Sequence, residues 1–275
     1  MDAAIYQRFP MLGRSRAQVW WYSPEFRRPR HFHAEPELNL VVHGEATFGV
    51  GTATVHVGAG DLLGFPPGQD HVLLGGTPDL ALFAIGMTPT FSRDILRDEH
   101  HVAGVPLHVR LPRATLADLV GRASAVAEQD GVDQAIAELW HAARRTRGAG
   151  APSSSGGALH VLTRRTLASI VASPEMTRAE LARTIGTCPT EIGRYFRRDV
   201  GLTLVQFRTR ARLLRFIQLV DDQAGNLTAA GLLAGFGSYS QCHRVFQAVF
   251  GCTPRRFFQR GLREHMENAF EPLRR

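Results

Sequence analysis

Lysine is missing from this chain. All 32 basic residues are arginine, against 25 acidic ones, for a formal charge of +7. That bias reflects codon usage more than chemistry, but arginine is also the better fork for phosphate and guanine. Long apolar runs are missing too. No stretch of eighteen apolar residues occurs, which argues against a membrane-spanning helix, and the N-terminus MDAAIYQRFPMLGRSR has no hydrophobic export core. Cysteine is scarce: Cys188, Cys242 and Cys252 are an odd number and all lie in the second half. This excludes a disulfide framework and suits buried thiols in a reducing cytoplasm, with packing favoured over a Cys242–Cys252 redox switch.

What is present divides unevenly. A length of 275 residues accommodates two domains, each with its own core. Residues 159–275 hold eighteen arginines against nine acids, or +9, while residues 1–158 hold fourteen against sixteen, or −2. The basic excess falls on a segment that reads as two helix-turn-helix units, at 177–201 and 228–254. In each, a short helix runs into a glycine (Gly186, Gly235) and a second helix starts shortly afterwards. Thr177-x-x-Glu180 and Ser238-x-x-Gln241 fit the capping box, and Pro189 suits a first helical turn. Leu181, Ile185, Ile192 and Phe196 are spaced to pack one helix on the next, as are Leu232, Leu233, Val245 and Phe246. The second helices then offer polar faces: Thr190, Arg194, Arg197 and Arg198 in one, Ser240, Gln241, His243 and Arg244 in the other. Helices of this kind fit the major groove of double-stranded DNA. They begin fifty residues apart in the sequence. An apolar pattern between them (Leu204, Phe207, Ala211, Leu214) predicts a stiff helix able to hold them in grooves about 34 Å apart.

Residues 160–258 resemble the DNA-binding domain of the AraC family of bacterial transcription regulators. The resemblance is carried by Ala182, Gly186, Arg194, Phe196, Gly201, Arg212-Leu213, Gly235-Phe236, Ser240, Arg244, Phe246, Phe250, Gly251 and Thr253-Pro254. Cys188 stands where the family usually has a serine cap, Gly231 where it has alanine, and Cys242 where it has an aromatic. Gly193 falls where relatives often carry a base-reading side chain, so the first unit is expected to read mostly through Thr190 and Arg194.

The first half reads differently. Residues 17–23 form an aromatic and β-branched strand, followed by short alternating strands at 38–43, 45–50, 53–57, 61–65, 70–74 and 80–86, with glycines closely spaced between them. That rhythm predicts an antiparallel barrel or jelly roll. Within it, His31-x-His33-x-x-x-Glu37 is followed by Pro66-Pro67-Gly68 and His71. Strand alternation puts His31 and His33 on one face, and Glu37 and His71 can reach the same point from neighbouring strands. Three imidazoles and a carboxylate suit a divalent transition metal: Fe, Mn, Ni, Zn or Cu. The alternative is that these histidines contact an organic ligand directly. Both patterns resemble the two motifs of the cupin family with all four ligand positions filled. Departures are Glu25 and Gly75, where those motifs often have Gly and Asn. Alternation alone makes Trp20, Tyr22, Asn39, Val41 and Phe48 candidate walls of a ligand pocket.

Residues 90–104 look polar and irregular, and a strand is expected at 105–111. From about residue 112 two helices follow, with Leu116 and Leu119 in the first and Val132, Ile136, Leu139 and Trp140 in the second. Analogy with AraC-type regulators makes these six a candidate homodimer interface; packing on the chain's own barrel is the alternative. The expected organisation is therefore an all-β cupin jelly roll with its helical pair at 1–147, a flexible Arg/Gly/Ser/Pro linker at 148–158, and an all-α double helix-turn-helix domain at 159–275.

Such a chain is expected to be a ligand-responsive transcription regulator of the cytoplasm, sensing a small molecule, a metal or both, with RNA polymerase as a further partner. No catalytic residue stands out beyond the four metal-type ligands. The rival reading is a metal-dependent cupin enzyme, an oxygenase or isomerase, fused to a DNA reader.

Overall fold

In the computed structural model the described residues are 4–9, 11, 15–22, 29–95, 107–127, 136–138, 140–141, 160–172, 176–222 and 226–259. The expected linker at 148–158, Glu25 and the tail beyond 259 lie outside them. The chain divides into two compact units, one carrying residues 8–158 and the other residues 159–271, with Ile5–Gln7 counted in the second.

The first unit is built from two antiparallel sheets. One runs Leu107–Arg110, Asp61–Phe65, Glu37–His43, Ala81–Met87, Ala17–Tyr22. Within this unit the other runs His31–Phe32, His71–Gly76, Glu45–Val50, Ala53–Gly58. The strands turn where the backbone must take positive φ. Gly44 (φ 71°) links two of them, and a Cβ there would lie 2.8 Å from the Leu80 backbone. Alternation then sorts the side chains. Val41, Phe48, Val50, Leu63, Phe65 and Leu82 come from both sheets and fill the space between them. Val19, Leu38, Leu40, Leu62, Phe83 and Ile85 form the outer face of the larger sheet.

That outer face is covered by the helical pair. Leu119, Ala123, Ile136, Ala137 and Trp140 are buried against it, with Leu116 partly buried at the edge. Leu119, Ile136 and Trp140 are at most 6 % exposed within their own chain, so these three side chains make the alternative contact, on the chain's own sheet. Val132 and the Leu139 side chain lie outside the described residues. A correction concerns residues 90–104. Pro89–Ile95 is a helix, and Thr88 Oγ1 accepts from Phe91 N at 3.3 Å, so the Thr88-Pro89 pair is a helix-start signal just before the stretch read as irregular.

The second unit is helical: Val161–Ala172, Arg178–Ile185, Pro189–Val200, Leu204–Asp222, Leu227–Leu233, Tyr239–Phe250 and Pro254–Phe257. Thr177 and Glu180 form a complete capping box, and Gly186 closes that helix at φ 76°. Ser238 caps Tyr239–Phe250 by accepting from Gln241 N. The reciprocal bond differs from expectation: Gln241 Oε1 accepts from Gly237 N at 2.9 Å, one residue before the cap. Leu181, Ile185, Ile192 and Phe196 are buried, as the spacing requires. Leu232 and Leu233 are not; each is 52 % exposed, and the contact face of their helix is made by Ala230, Gly231 and Ala234. Small residues there allow close approach, and a Cβ on Gly231 would touch the Cys242 side chain at 3.4 Å. The long helix buries Leu213, Phe216, Ile217 and Val220 together with Leu204 and Leu214, while Ala211 faces solvent. Phe216, Phe246, Phe250, Phe257 and Phe258 form one aromatic cluster, with Phe246 and Phe250 stacked at 4.1 Å.

Candidate metal centre and nucleic-acid interface

His31 and His71 are directly opposed across two paired strands. His33 follows two residues after His31, and Glu37 opens a strand of the other sheet, opposite Phe65 and Gly86. The carboxylate therefore comes from the facing sheet and not from a neighbouring strand. All four residues are buried, and one donor atom from each lies within 4.8 Å of the other three. The imidazole centroids are 4.3 Å (His31–His71), 5.1 Å (His33–His71) and 5.6 Å (His31–His33) apart.

Each ring is oriented by the backbone. The Nδ1 atoms lie 2.9 Å from Pro29 O, 2.7 Å from Glu35 O and 3.1 Å from Gln69 O for His31, His33 and His71 respectively. A carbonyl oxygen only accepts, so Nδ1 carries the proton in all three, and in the neutral ring Nε2 keeps its lone pair. His33 Nε2 lies 3.0 Å from Glu37 Oε2. His71 Nε2 is 3.5 Å from the same oxygen, buried, and makes no hydrogen bond. Burial alone would push the Glu37 carboxyl up, but its interactions with His33 and His71 outweigh that and hold the group well below the usual carboxylate range. Asn39, read from the sequence as a pocket wall, instead donates from Nδ2 to Glu37 Oε1 at 2.8 Å and fixes that carboxylate. Phe65 stacks on His71 at 4.0 Å and 10°, and Phe9 meets the His33 ring edge-on at 6.1 Å.

Three imidazoles locked in the Nδ1–H form, converging with one ionised carboxylate, fit a divalent transition metal. Of the other expected pocket residues, Val41 and Phe48 are packed between the sheets and Tyr22 and Trp20 are half-buried. An open groove of about 960 Å³ is lined by Thr47, His56, Asp79 and Arg110 among others, and holds none of these residues.

In the helical unit, seven of the eight candidate DNA contacts sit on solvent-facing positions of Pro189–Val200 and Tyr239–Phe250: Thr190, Arg194, Arg197, Arg198, Ser240, Gln241 and Arg244 are exposed. His243 is half-buried, its ring edge-on to Tyr239 at 6.2 Å. At Gly193 the helix Pro189–Val200 passes close to a side chain from the preceding helix. Arg178 donates from Nε to Pro189 O at 3.0 Å, and a Cβ on Gly193 would lie 2.9 Å from that guanidinium. Cys188 caps the helix in geometry only, its side chain accepting no hydrogen bond from the helix-start N–H groups. Cys242 is fully buried and its thiol is pushed up to about 11 by burial, so it is a packing residue and not a nucleophile.

A barrel with a convergent polar centre and a double helix-turn-helix unit with basic reading helices define the class: a DNA-binding transcription regulator with a small-molecule-sensing domain. The sequence matches the AraC-like ligand binding domain over residues 20–159 and a helix-turn-helix domain over residues 181–260. The chain belongs to the AraC family. Among solved structures it is similar to ToxT from Vibrio cholerae O395, with 11 % identity, 88 % of this chain and 95 % of that one covered, and a TM-score of 0.44. It is also similar to the AraC-like transcriptional activator CuxR, with 14 % identity, 80 % and 78 % covered, and a TM-score of 0.32. A Cupin 2 conserved barrel domain protein from Salinispora arenicola CNS-205 matches 29 % of this chain and 69 % of its own at 22 % identity and a TM-score of 0.25. None of the curated proteins matches the sequence. Among the described residues no helix is long and apolar enough to cross a membrane.

Proposed function

We propose that this regulator holds a divalent transition metal in its barrel through His31, His33, Glu37 and His71. The occupancy of that centre, alone or with an organic effector, sets how the reading helices are presented to DNA. One observation carries the reading: three buried imidazoles are tautomerically fixed by backbone carbonyls, so their Nε2 atoms and the Glu37 carboxylate converge. A metal held there supplies a Lewis-acidic point at which water or an oxygen-bearing effector binds. Asn39 keeps Glu37 in place, and Phe65 fixes the plane of His71. For the effector to act it must favour one arrangement of the regulator over another, because equal affinity for both shifts nothing.

On the DNA side, Thr190, Arg194, Gln241 and Arg244 read bases, while Arg197 and Arg198 clamp phosphates. The 19-residue helix Leu204–Asp222 spaces the two readers; at ~1.5 Å per residue it is about 28 Å long, close to one turn of duplex.

Elemental analysis of protein purified without chelator or metal-binding tag tests the centre. The expected result is one transition metal per chain, lost in His33→Ala, with a salt-sensitive duplex affinity that changes when the metal is removed. Metal-free protein from every preparation would remove the proposal. Chelation that lowers thermal stability without altering DNA binding would reduce the metal to a staple. Oxygen uptake lost in His33→Ala would make the barrel a catalyst.

A further inference from the structure

Two arginines assigned to DNA converge on one ring. The guanidinium carbons of Arg194 and Arg198 lie 4.6 Å and 4.9 Å from the Tyr195 ring centroid, within the range where the ring quadrupole attracts a cation. Arg194 Nη2 also donates to Tyr195 Oη at 3.0 Å. The ring itself is held by the residue just before Val161–Ala172. His160 stacks on it with centroids 3.6 Å apart and planes 3° from parallel. His160 is in turn fixed on both sides of its Cα: its backbone N donates to Asp199 Oδ2 at 2.9 Å, and its Nδ1 accepts from Leu162 N at 3.3 Å. Thr163 Oγ1 donates to the same Asp199 oxygen at 2.6 Å, and Arg198 Nε donates to the other at 2.7 Å. Asp199 thus ties the start of Val161–Ala172 to the end of the reading helix and also holds Arg198.

An exposed arginine has many rotamers, and ordering it on DNA costs much of that freedom; a guanidinium already parked on a ring loses less. Orientation matters more here than in a helix with several readers, because Gly193 contributes no side chain and Arg194 carries much of the reading. We propose that Tyr195, braced by His160 and Asp199, is a positioning residue of the first reading helix. It presets Arg194 and Arg198 and so sets how sharply this helix discriminates between DNA sequences. The proposal rests on the assignment of those two arginines to DNA.

The test uses the full chain and two duplexes, one enriched from a randomised pool by the native protein and one of the same composition scrambled. Tyr195→Phe keeps the ring and removes only the hydroxyl. It is expected to lower the enriched-to-scrambled affinity ratio about three- to ten-fold, with the scrambled affinity, salt slope and thermal midpoint unchanged. His160→Ala should shift the ratio in the same direction by less. In an Arg194→Ala background, Tyr195→Phe should have no further effect on the ratio. If Arg194→Ala lowers the ratio but Tyr195→Phe and His160→Ala leave it alone, the positioning role is wrong and the DNA assignment stands. If Arg194→Ala itself leaves the ratio alone, the DNA assignment fails and the proposal falls with it. Equal weakening on both duplexes with a lowered thermal midpoint would make Tyr195 a packing residue and overturn the proposal.

Discussion

The two units place their functional groups in opposite environments. In the barrel the groups that matter are buried: His33 is 2 % exposed and Glu37 7 %, with Phe65 on His71 and Phe9 on His33. In the helical unit Arg194, Arg197 and Arg244 are exposed on helices whose other face is fully packed. A buried imidazole–carboxylate cluster is costly unless its desolvation is compensated, and here His33 and Asn39 both bond to Glu37. Exposed arginines cost little to keep and gain their energy only when phosphates release counterions. The barrel is therefore expected to be sensitive to loss of one side chain and indifferent to salt, and the reader the reverse.

The largest expected effect separates the two cores. Phe246 is completely buried, 5.7 Å from Phe216 and 5.3 Å from Phe257. Phe246→Ala should destabilise the helical unit by about 3–5 kcal/mol. Differential scanning calorimetry should then show one transition moving to lower temperature while the barrel transition stays in place. Movement of both would mean that the cores do not stand separately.

Next comes the barrel centre. Glu37→Ala removes the hydrogen-bond partner of His33 and Asn39, and each buried group so stranded costs about 1–3 kcal/mol. Bound metal should fall to background in the same variant. Asn39→Ala removes only the hydrogen bond that orients Glu37, and should weaken metal binding about 10- to 100-fold without abolishing it. Competition against a metal-binding dye distinguishes the two. Equal loss in both would place Asn39 among the ligands.

The reader is then probed where salt matters. Arg194→Ala and Arg244→Ala should each lower operator affinity by about 1–3 kcal/mol and relax sequence preference. Arg197→Ala should weaken all duplexes alike and reduce the salt slope by about one. Fluorescence anisotropy over a range of salt concentrations measures both quantities. Identical behaviour of the three variants would erase the distinction between readers and clamps.

Much of this comparison can be read before any coordinates exist. The barrel strands, the four residues that converge at its centre and both helix pairs follow from alternation, glycine placement and capping residues, because each of those signals is local. What sequence conceals is which partner lies across a gap. Glu37 comes from the facing sheet, because parity assigns a residue to a face but not to a sheet. Asn39 shares that face with Glu37, two residues away, yet whether it lines a pocket or holds a carboxylate depends on the rotamers. Leu232 and Leu233 have core-type side chains on a seven-residue helix whose contact is made by Ala230 and Gly231, so size misleads where backbones approach closely. Tyr195 has no signal of its own, since its neighbours in space come partly from residues 160–163.

The smallest expected effect turns on a difference between consecutive helices of the first unit. Arg178–Ile185 begins with a complete box, Thr177 accepting from Glu180 N while the Glu180 side chain accepts from Thr177 N. Pro189–Val200 begins at Cys188, which has the extended backbone of a cap (φ −93°, ψ 153°) but a side chain that accepts nothing. Glu191, three residues on, already bonds back to the Cys188 backbone, and Thr187 Oγ1 donates to it at 2.6 Å. Only one half of the box is missing. Cys188→Ser supplies an oxygen where the backbone needs no adjustment, and should raise the stability of the helical unit by about 1 kcal/mol. Chemical denaturation measures the gain, and salt slope and sequence preference should not change because the substitution touches neither arginines nor Thr190. A serine that gives no gain would show that Pro189, whose missing N–H leaves one fewer donor to satisfy, together with Glu191, already meets the needs of this helix start.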